Sequence, residues 1–289
     1  MPRRGLSTML LAYLAAALLA ALVWRHLPDA APSLRGAWAG LAATLLLWLV
    51  GLVHRNPSVF DPYWSVAPML LAAAWARDPA SLAAPAARQL LVLCLVFAWG
   101  LRLTYHWWRT WGGLDHEDWR YLEMRRTSGP LFPLVNLLAI HVAPTVMLGL
   151  ACLAMYPALV TGTRPLGLLD LLAAAFTLAA IVLEAAADRH MRAFRASPRP
   201  PGQLCERGPW VWSRHPNYLG ELSFWWGLFF CSLAADPDAR WAVAGPLVIT
   251  ALLTLYSAPA LDRRMLARYP AYADYMRRVP MLVPRRPRA

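Results

Sequence analysis

The chain contains no lysine; all 28 of its basic residues are arginine. Its four cysteines, Cys94, Cys152, Cys205 and Cys231, stand far apart, with no CxxC pair and no His/Cys cluster. Neither a metal centre nor a disulfide framework is therefore indicated, and the thiols read as isolated, small, apolar-like side chains. No GxGxxG run follows a strand-like segment, which excludes a Rossmann domain as a dinucleotide holder. No internal repeat and no low-complexity linker divides the sequence.

What the chain does have is apolar surface. Hydrophobic residues make up 59% of its 289 positions, and the mean hydropathy is +0.40. A soluble domain is nearer half apolar, so the excess points to lipid as solvent. Many of the 15 tryptophans stand near the ends of apolar runs, where an indole prefers the headgroup zone. A crossing helix needs about 20 apolar residues. Candidate spans are 6–24, 36–54, 64–76, 86–107, 131–156, 166–187, 217–234 and 241–259. The third is short and bracketed by Pro62, Pro68 and Pro79, so it reads as tilted or broken. The first follows Arg3 and Arg4 but lacks a small-residue cleavage site before Trp24 and Arg25, and reads as a retained helix. The expected fold is all-α: a polytopic membrane bundle of seven or eight transmembrane helices. It forms a single domain over 1–289, with 1–35 an extra N-terminal helix and 36–285 the core.

A net charge of +12 also suits nucleic-acid binding. The arginines, however, lie between apolar spans rather than on one soluble face, so no nucleic-acid partner is expected. They cluster in alternate loops: Arg109, Arg120, Arg125 and Arg126 in 108–130, six arginines in 188–216, and eight after 260. The loops between are poor in arginine: 157–165 has Arg164 alone, and 235–240 sets Arg240 against Asp236 and Asp238. By the positive-inside rule the rich set faces the cytoplasm, and eight spans put both termini there.

Several polar residues are not explained by composition. Asp61 stands at the mouth of the short third span, before Pro62. It reads equally as a helix cap or as a partly desolvated acid able to donate a hydrogen bond. Arg102 lies about a turn inside an apolar run, near Tyr105, and charges at that depth face polar cavities. Asp115 to Arg126, DHEDWRYLEMRR, is either a solvated loop or a group that grips ribose and phosphate through Asp118, Arg120 and Tyr121. Glu184, Asp188, Arg192 and Arg195 share one helical face, as ion pairs or as a polar stripe running into a pocket. In the run from Cys205 to Glu221, Arg207, Trp212, Arg214 and His215 converge on a helix beginning at Pro216 or Asn217. That arrangement suits an anion such as phosphate. Asn217 and Glu221 are four apart and face one neighbour; a glutamate there is costly unless paired or functional.

The run SRHPNYLGE, with the upstream DPYWS and the Tyr105-His106 pair, resembles the steroid 5α-reductase-like membrane reductases, and more closely their bacterial relatives in the DUF1295 branch. The resemblance covers roughly 36–285. It implies a bacterial inner-membrane enzyme with an NADPH site facing the cytoplasm. The implied reaction is hydride transfer to the β-carbon of an enone in a lipid-like substrate, such as a 3-oxo-Δ4 steroid, that enters from the bilayer. It implies catalytic hydrogen bonds from Asp61 and Tyr105 to the carbonyl oxygen; Phe60 replaces the glutamine that the family places beside the acid. The implied cofactor contacts are Arg109, Asp118, Arg120, Tyr121, Asp188, Arg192, Arg195, Arg207, Trp212, Arg214, His215, Asn217, Tyr218 and Glu221. No metal and no obligate protein partner is implied. The alternative is an S-adenosylmethionine-dependent membrane methyltransferase of the isoprenylcysteine carboxyl methyltransferase type. Such enzymes share an RHP-x-Y-x-G core but carry a Glu-Glu pair where this chain has Leu261-Asp262-Arg263. A transporter or scaffold is a further reading, though no inverted repeat supports it.

Overall fold

The computed structural model describes residues 5–285; Arg3, Arg4, Arg286 and Arg288, which entered the charge argument, lie outside them. Among the described residues there is no strand. The helices follow in order as α1 (Leu6–Arg25), α2 (Pro32–Val53), α3 (Tyr63–Ala76), α4 (Ala86–Thr110), α5 (Trp119–Ser128) and α6 (Phe132–Val135). After these come α7 (Ala143–Cys152), α8 (Leu168–Ala196), α9 (Pro216–Ala235), α10 (Ala244–Ala251), α11 (Ala258–Arg268) and α12 (Tyr272–Arg278). Two π-helical stretches, Asn136–Val142 and Leu252–Ser257, join α6 to α7 and α10 to α11.

The protein is a polytopic helical membrane protein. Among the described residues, six helical stretches are long and apolar enough to cross a bilayer, beside an expected seven or eight spans. Of the other two expected spans, α3 has 14 residues and is about 21 Å long against a core of about 30 Å. α9 buries most of its side chains in protein rather than in lipid. On α1, Leu10, Leu14 and Leu18 are more than half exposed, a face that only lipid makes inexpensive.

Local chemistry sets the boundaries. Pro32 and Pro216 open α2 and α9, where a missing N–H is harmless and φ is already helical. Asn56 caps the turn at Pro57–Phe60, accepting from Ser58 N at 2.9 Å, and Asp118 caps α5, accepting from Arg120 N at 2.8 Å. α8 and α9 pack closely at two glycines. A Cβ on Gly220 would stand 2.6 Å from Glu184 Cβ, and one on Gly227 would collide with Thr177 Oγ1.

The bundle has two polar ends. At one, Arg88 is fully buried and donates from Nε to Asp170 Oδ1 at 2.6 Å and from Nη2 to Oδ2 at 3.0 Å. It also donates to the carbonyls of Arg164 and Pro165 at 2.6 and 3.0 Å. The other end is rich in arginine and gathers the 55–62 turn, the 111–121 segment, the end of α8, the start of α9 and α11–α12. Both ends of the described chain reach it: Gly5 sits against Leu114, and the backbone N–H groups of Arg214 and His215 donate to Pro280 O and Met281 O at 2.9 and 3.1 Å.

Candidate active site

The Arg-rich end is organised by a loop folding back on a turn. Asn56 Nδ2 donates to the carbonyls of Leu114 and His116 at 2.6 and 3.0 Å. Asp118 N donates to Ser58 Oγ at 2.9 Å. These bonds bring α5 over the residue that follows the turn, Asp61, and Tyr121 OH donates to Asp61 Oδ1 at 2.7 Å. Arg120 pairs with Asp118 through two bonds, 2.9 and 3.2 Å. Burial pushes the Asp61 carboxyl up to about 7, against the pull of the Tyr121 hydrogen bond and the Arg120 charge. At Asp118 burial acts in the same sense but is outweighed by Arg120, which holds the carboxyl below its usual range.

Tyr105 is not brought to Asp61. It is more than half exposed on α4, where Arg109 Nη1 donates to its hydroxyl at 3.3 Å and Trp108 lies against its ring. The phenol that meets Asp61 is Tyr121, expected at the cofactor, and Arg109 stays on the exposed face with Tyr105. The reason is angular: Thr104 bonds Ser65 Oγ across the α3–α4 contact at 2.8 Å, and one step along a helix swings the next side chain away.

Glu221 is enclosed. Three indoles donate to its carboxyl group: Trp64 and Trp225 to Oε1, each at 3.0 Å, and Trp99 to Oε2 at 2.9 Å. These bonds tie α3, α4 and α9 together and use the oxygens expected at the cofactor. Trp64 belongs to DPYWS and Glu221 to RHPNYLGE, so the two motifs meet directly. Sequence reasoning assigned the tryptophans to the membrane interface and missed this cage; Trp99 and Trp225 lie inside apolar runs rather than at their ends, whereas Trp64 opens one.

The stripe on α8 faces α4 as its spacing requires. Arg102 pairs with Glu184 at 2.5 Å and Asp188 at 2.8 Å, and Arg192 meets His106 Nδ1 at 2.8 Å. Arg102 Nε and Glu184 Oε2 are buried without a partner, a donor and an acceptor still to be satisfied. Arg214 and His215 are engaged by the C-terminal segment. Asp262 accepts from Arg214 Nη2 and bonds His215 Nε2, both at 2.8 Å, and accepts from Tyr272 OH at 2.5 Å. Arg214 Nη1 also donates to Val279 O at 2.7 Å. This knot fixes the start of α9 and leaves little of either side chain for an anion; Asp262 was not foreseen in that role. Arg195, Arg207 and Trp212 are exposed near it. Asn217 and Tyr218 are half-buried at the first turn of α9, and Tyr218 stacks on His215 with ring centroids 5.3 Å apart.

An apolar cavity of about 820 Å³ lies between α1, α2, α3 and α7. Tyr13 and Tyr63 line it beside the Asp61 turn, whereas Asp188, Arg192, Asn217 and Glu221 do not. Asp61 thus stands between an apolar chamber and the Arg-rich end. Among the described residues no group of His, Cys, Asp and Glu is placed to hold a metal ion.

The sequence profile of DUF1295, a protein family of unknown function, matches residues 47–279. An uncharacterized protein of Schizosaccharomyces pombe is 25% identical over 263 residues, 83% of this chain and 76% of that protein. No solved structure matches.

Proposed function

The chain belongs to the DUF1295 family, and from that premise we propose that it is an NADPH-dependent membrane reductase acting on the C=C bond of an enone in a lipid-like substrate. A 3-oxo-Δ4 steroid, reduced to the 5α-saturated ketone, is the type of molecule intended. The observation that carries the reading is the Asp61–Tyr121 pair, 2.7 Å apart, placed between an apolar chamber and a basic end. An acid that keeps its proton to about pH 7 donates a hydrogen bond to a carbonyl oxygen and strengthens it as enolate charge develops. A donor in that role is worth about 2.7–4 kcal/mol. Tyr121, bonded to the same carboxyl, replaces Tyr105 as its phenolic companion.

The residues of the Arg-rich end fit a dinucleotide. Arg195 and Arg207 are exposed there, suited to phosphates as bidentate partners. Arg192, Asn217 and Tyr218 are half-buried, and the unsatisfied Arg102 Nε and Glu184 Oε2 match an amide or a ribose hydroxyl. When bound, NADPH supplies the hydride that goes to the β-carbon. Asp61, held by the Tyr121 hydrogen bond to its carboxyl, donates to the oxygen of the resulting enolate, and a proton from water completes the α-carbon. The positive-inside reading places this end in the cytoplasm, where NADPH is available.

The test is enone reduction by the purified protein in vesicles with NADPH and a 3-oxo-Δ4 steroid, following nicotinamide oxidation and the saturated product. The expected result is stoichiometric turnover that falls by two orders of magnitude or more in Asp61→Leu, which has no hydrogen to donate. Thermal stabilisation by S-adenosylmethionine but not by NADPH, with no saturated product, would overturn the proposal in favour of methyl transfer.

A further inference from the structure

One wall of the cavity is built by a helix outside the family match. The profile begins at residue 47, so α1 and most of α2 precede it. α1 is nevertheless fastened to the turn that leads into Asp61. Tyr13 OH donates to Val59 O at 3.1 Å and to Phe60 O at 3.3 Å, the two carbonyls immediately before Asp61. Farther along α1, Ala16, Ala20 and Trp24 line the cavity. The lining runs from Tyr13, beside the Asp61 turn, to Arg25, about 18 Å along the helix at about 1.5 Å per residue. A volume of about 820 Å³ is within the range of sites that enclose one small molecule, about 300–1,000 Å³.

We propose that α1 is a positioning and specificity element: Tyr13 holds the turn that aims Asp61, and the small-residue wall beyond it measures the apolar body of the substrate. This rests on the enone-reductase reading and narrows it. The substrate is a long apolar molecule with its carbonyl at the Tyr13–Tyr63 end and its far end near Trp24 and Arg25. The occupant follows from continuity with Asp61, because the chamber ends at the two tyrosines that flank that residue's turn. Its lining is predominantly apolar, which disfavours a polar occupant.

Two substitutions on the one helix should act in opposite ways. Tyr13→Phe removes one hydrogen-bond donor and no volume. It should lower kcat about fivefold, the worth of one neutral hydrogen bond, with KM unchanged. Ala20→Trp fills the middle of the chamber. It should raise KM for a 3-oxo-Δ4 steroid on the order of tenfold and leave the kinetics of a short cyclic enone unchanged. A photoactivatable 3-oxo-Δ4 steroid gives a readout independent of turnover: it should label peptides of α1 in the wild type and not in Ala20→Trp. Labelling confined to other helices, or equal labelling in both proteins, overturns the role of α1 whether or not the protein reduces enones. Labelling of α1 without reduction overturns the reductase reading and leaves the chamber as the binding site of the probe.

Discussion

The indole cage around Glu221 gives a prediction whose size can be worked from geometry. Glu221→Gln preserves shape and leaves one acceptor oxygen. If that oxygen keeps the Oε1 position, it retains Trp64 and Trp225, each at 3.0 Å, and turns an NH2 group toward the Trp99 N–H, which had been 2.9 Å from Oε2. Two donors then face each other in a buried site. The lost bond and the unsatisfied N–H together cost about 3 kcal/mol, from about 1–3 kcal/mol for each. The opposite flip loses two indoles and costs more. Trp99→Phe removes the donor, so in the Gln background it should restore about 1–2 kcal/mol, whereas in the wild type it destabilises. A double-mutant cycle, with reversible unfolding in mixed micelles followed by circular dichroism, should yield a coupling of about 2 kcal/mol. A coupling below about 0.5 kcal/mol, the scatter of independent sites, would mean that the indoles pack around Glu221 without bonding to it.

Other consequences are as direct. Tyr121→Phe should lower kcat/KM for enone reduction by about tenfold or more, while Tyr105→Phe stays within about twofold; equal losses would return Tyr105 to the site. Arg88→Met should destabilise the fold by about 3–5 kcal/mol, because it strands Asp170 inside protein, whereas Arg88→Met with Asp170→Leu should recover most of the loss; chemical unfolding of the three proteins decides. Asp61 gives a pH signature. Its folded pKa of about 7 lies above the ordinary 3.8, so the folded state holds the extra proton, and stability falls as pH rises from about 4 to 7 before levelling. The drop attributable to this group is at most about 4 kcal/mol. Asp61→Asn should remove that pH-dependent component from melting curves in detergent; an unchanged pH dependence would place the buried charge elsewhere.

Much of the fold is legible in the sequence because lipid imposes a simple rule. Apolar runs bounded by proline and arginine fall within a few residues of the helices found, and α8 differs by extending to Ala196, with its charged stripe turned toward α4. Asp61, Glu184 and Glu221 stand out for the same reason, since a carboxyl inside or beside an apolar run needs a partner. The partners are less legible. Tyr105 and Tyr121 both sit in aromatic, Arg-flanked stretches, and the choice between them depends on the 111–118 segment folding over Ser58 and Asn56. That is a tertiary event without periodic signal. Trp64, Trp99 and Trp225 are indistinguishable by composition from interfacial tryptophans. Asp262 lies in a run that reads as a solvated basic tail, although it is buried and joins three partners. The π-helical stretch at Asn136–Val142, which buries His141 against the Phe60 ring at 4.7 Å, has no counterpart in a 3.6-residue pattern.

The bond between Trp64 and Glu221 joins the turn that carries Asp61 to the first turns of α9, where Asn217 and Tyr218 lie. If the carbonyl of a substrate is held at one side of this link and a nucleotide at the other, its stiffness sets the distance across which hydride must pass. Trp64→Phe keeps the ring and removes the N–H. Glu221 retains Trp99 and Trp225, so the loss of stability should be modest, about 1–2 kcal/mol. Near-attack geometry is far less forgiving, because a misplacement of about 1 Å can cost about a hundredfold in rate. The expected outcome is therefore a fall in kcat well beyond the roughly tenfold that such a stability loss corresponds to, with both KM values little changed. A variant with full kcat would show that the two motifs are fastened by this bond without being aligned by it.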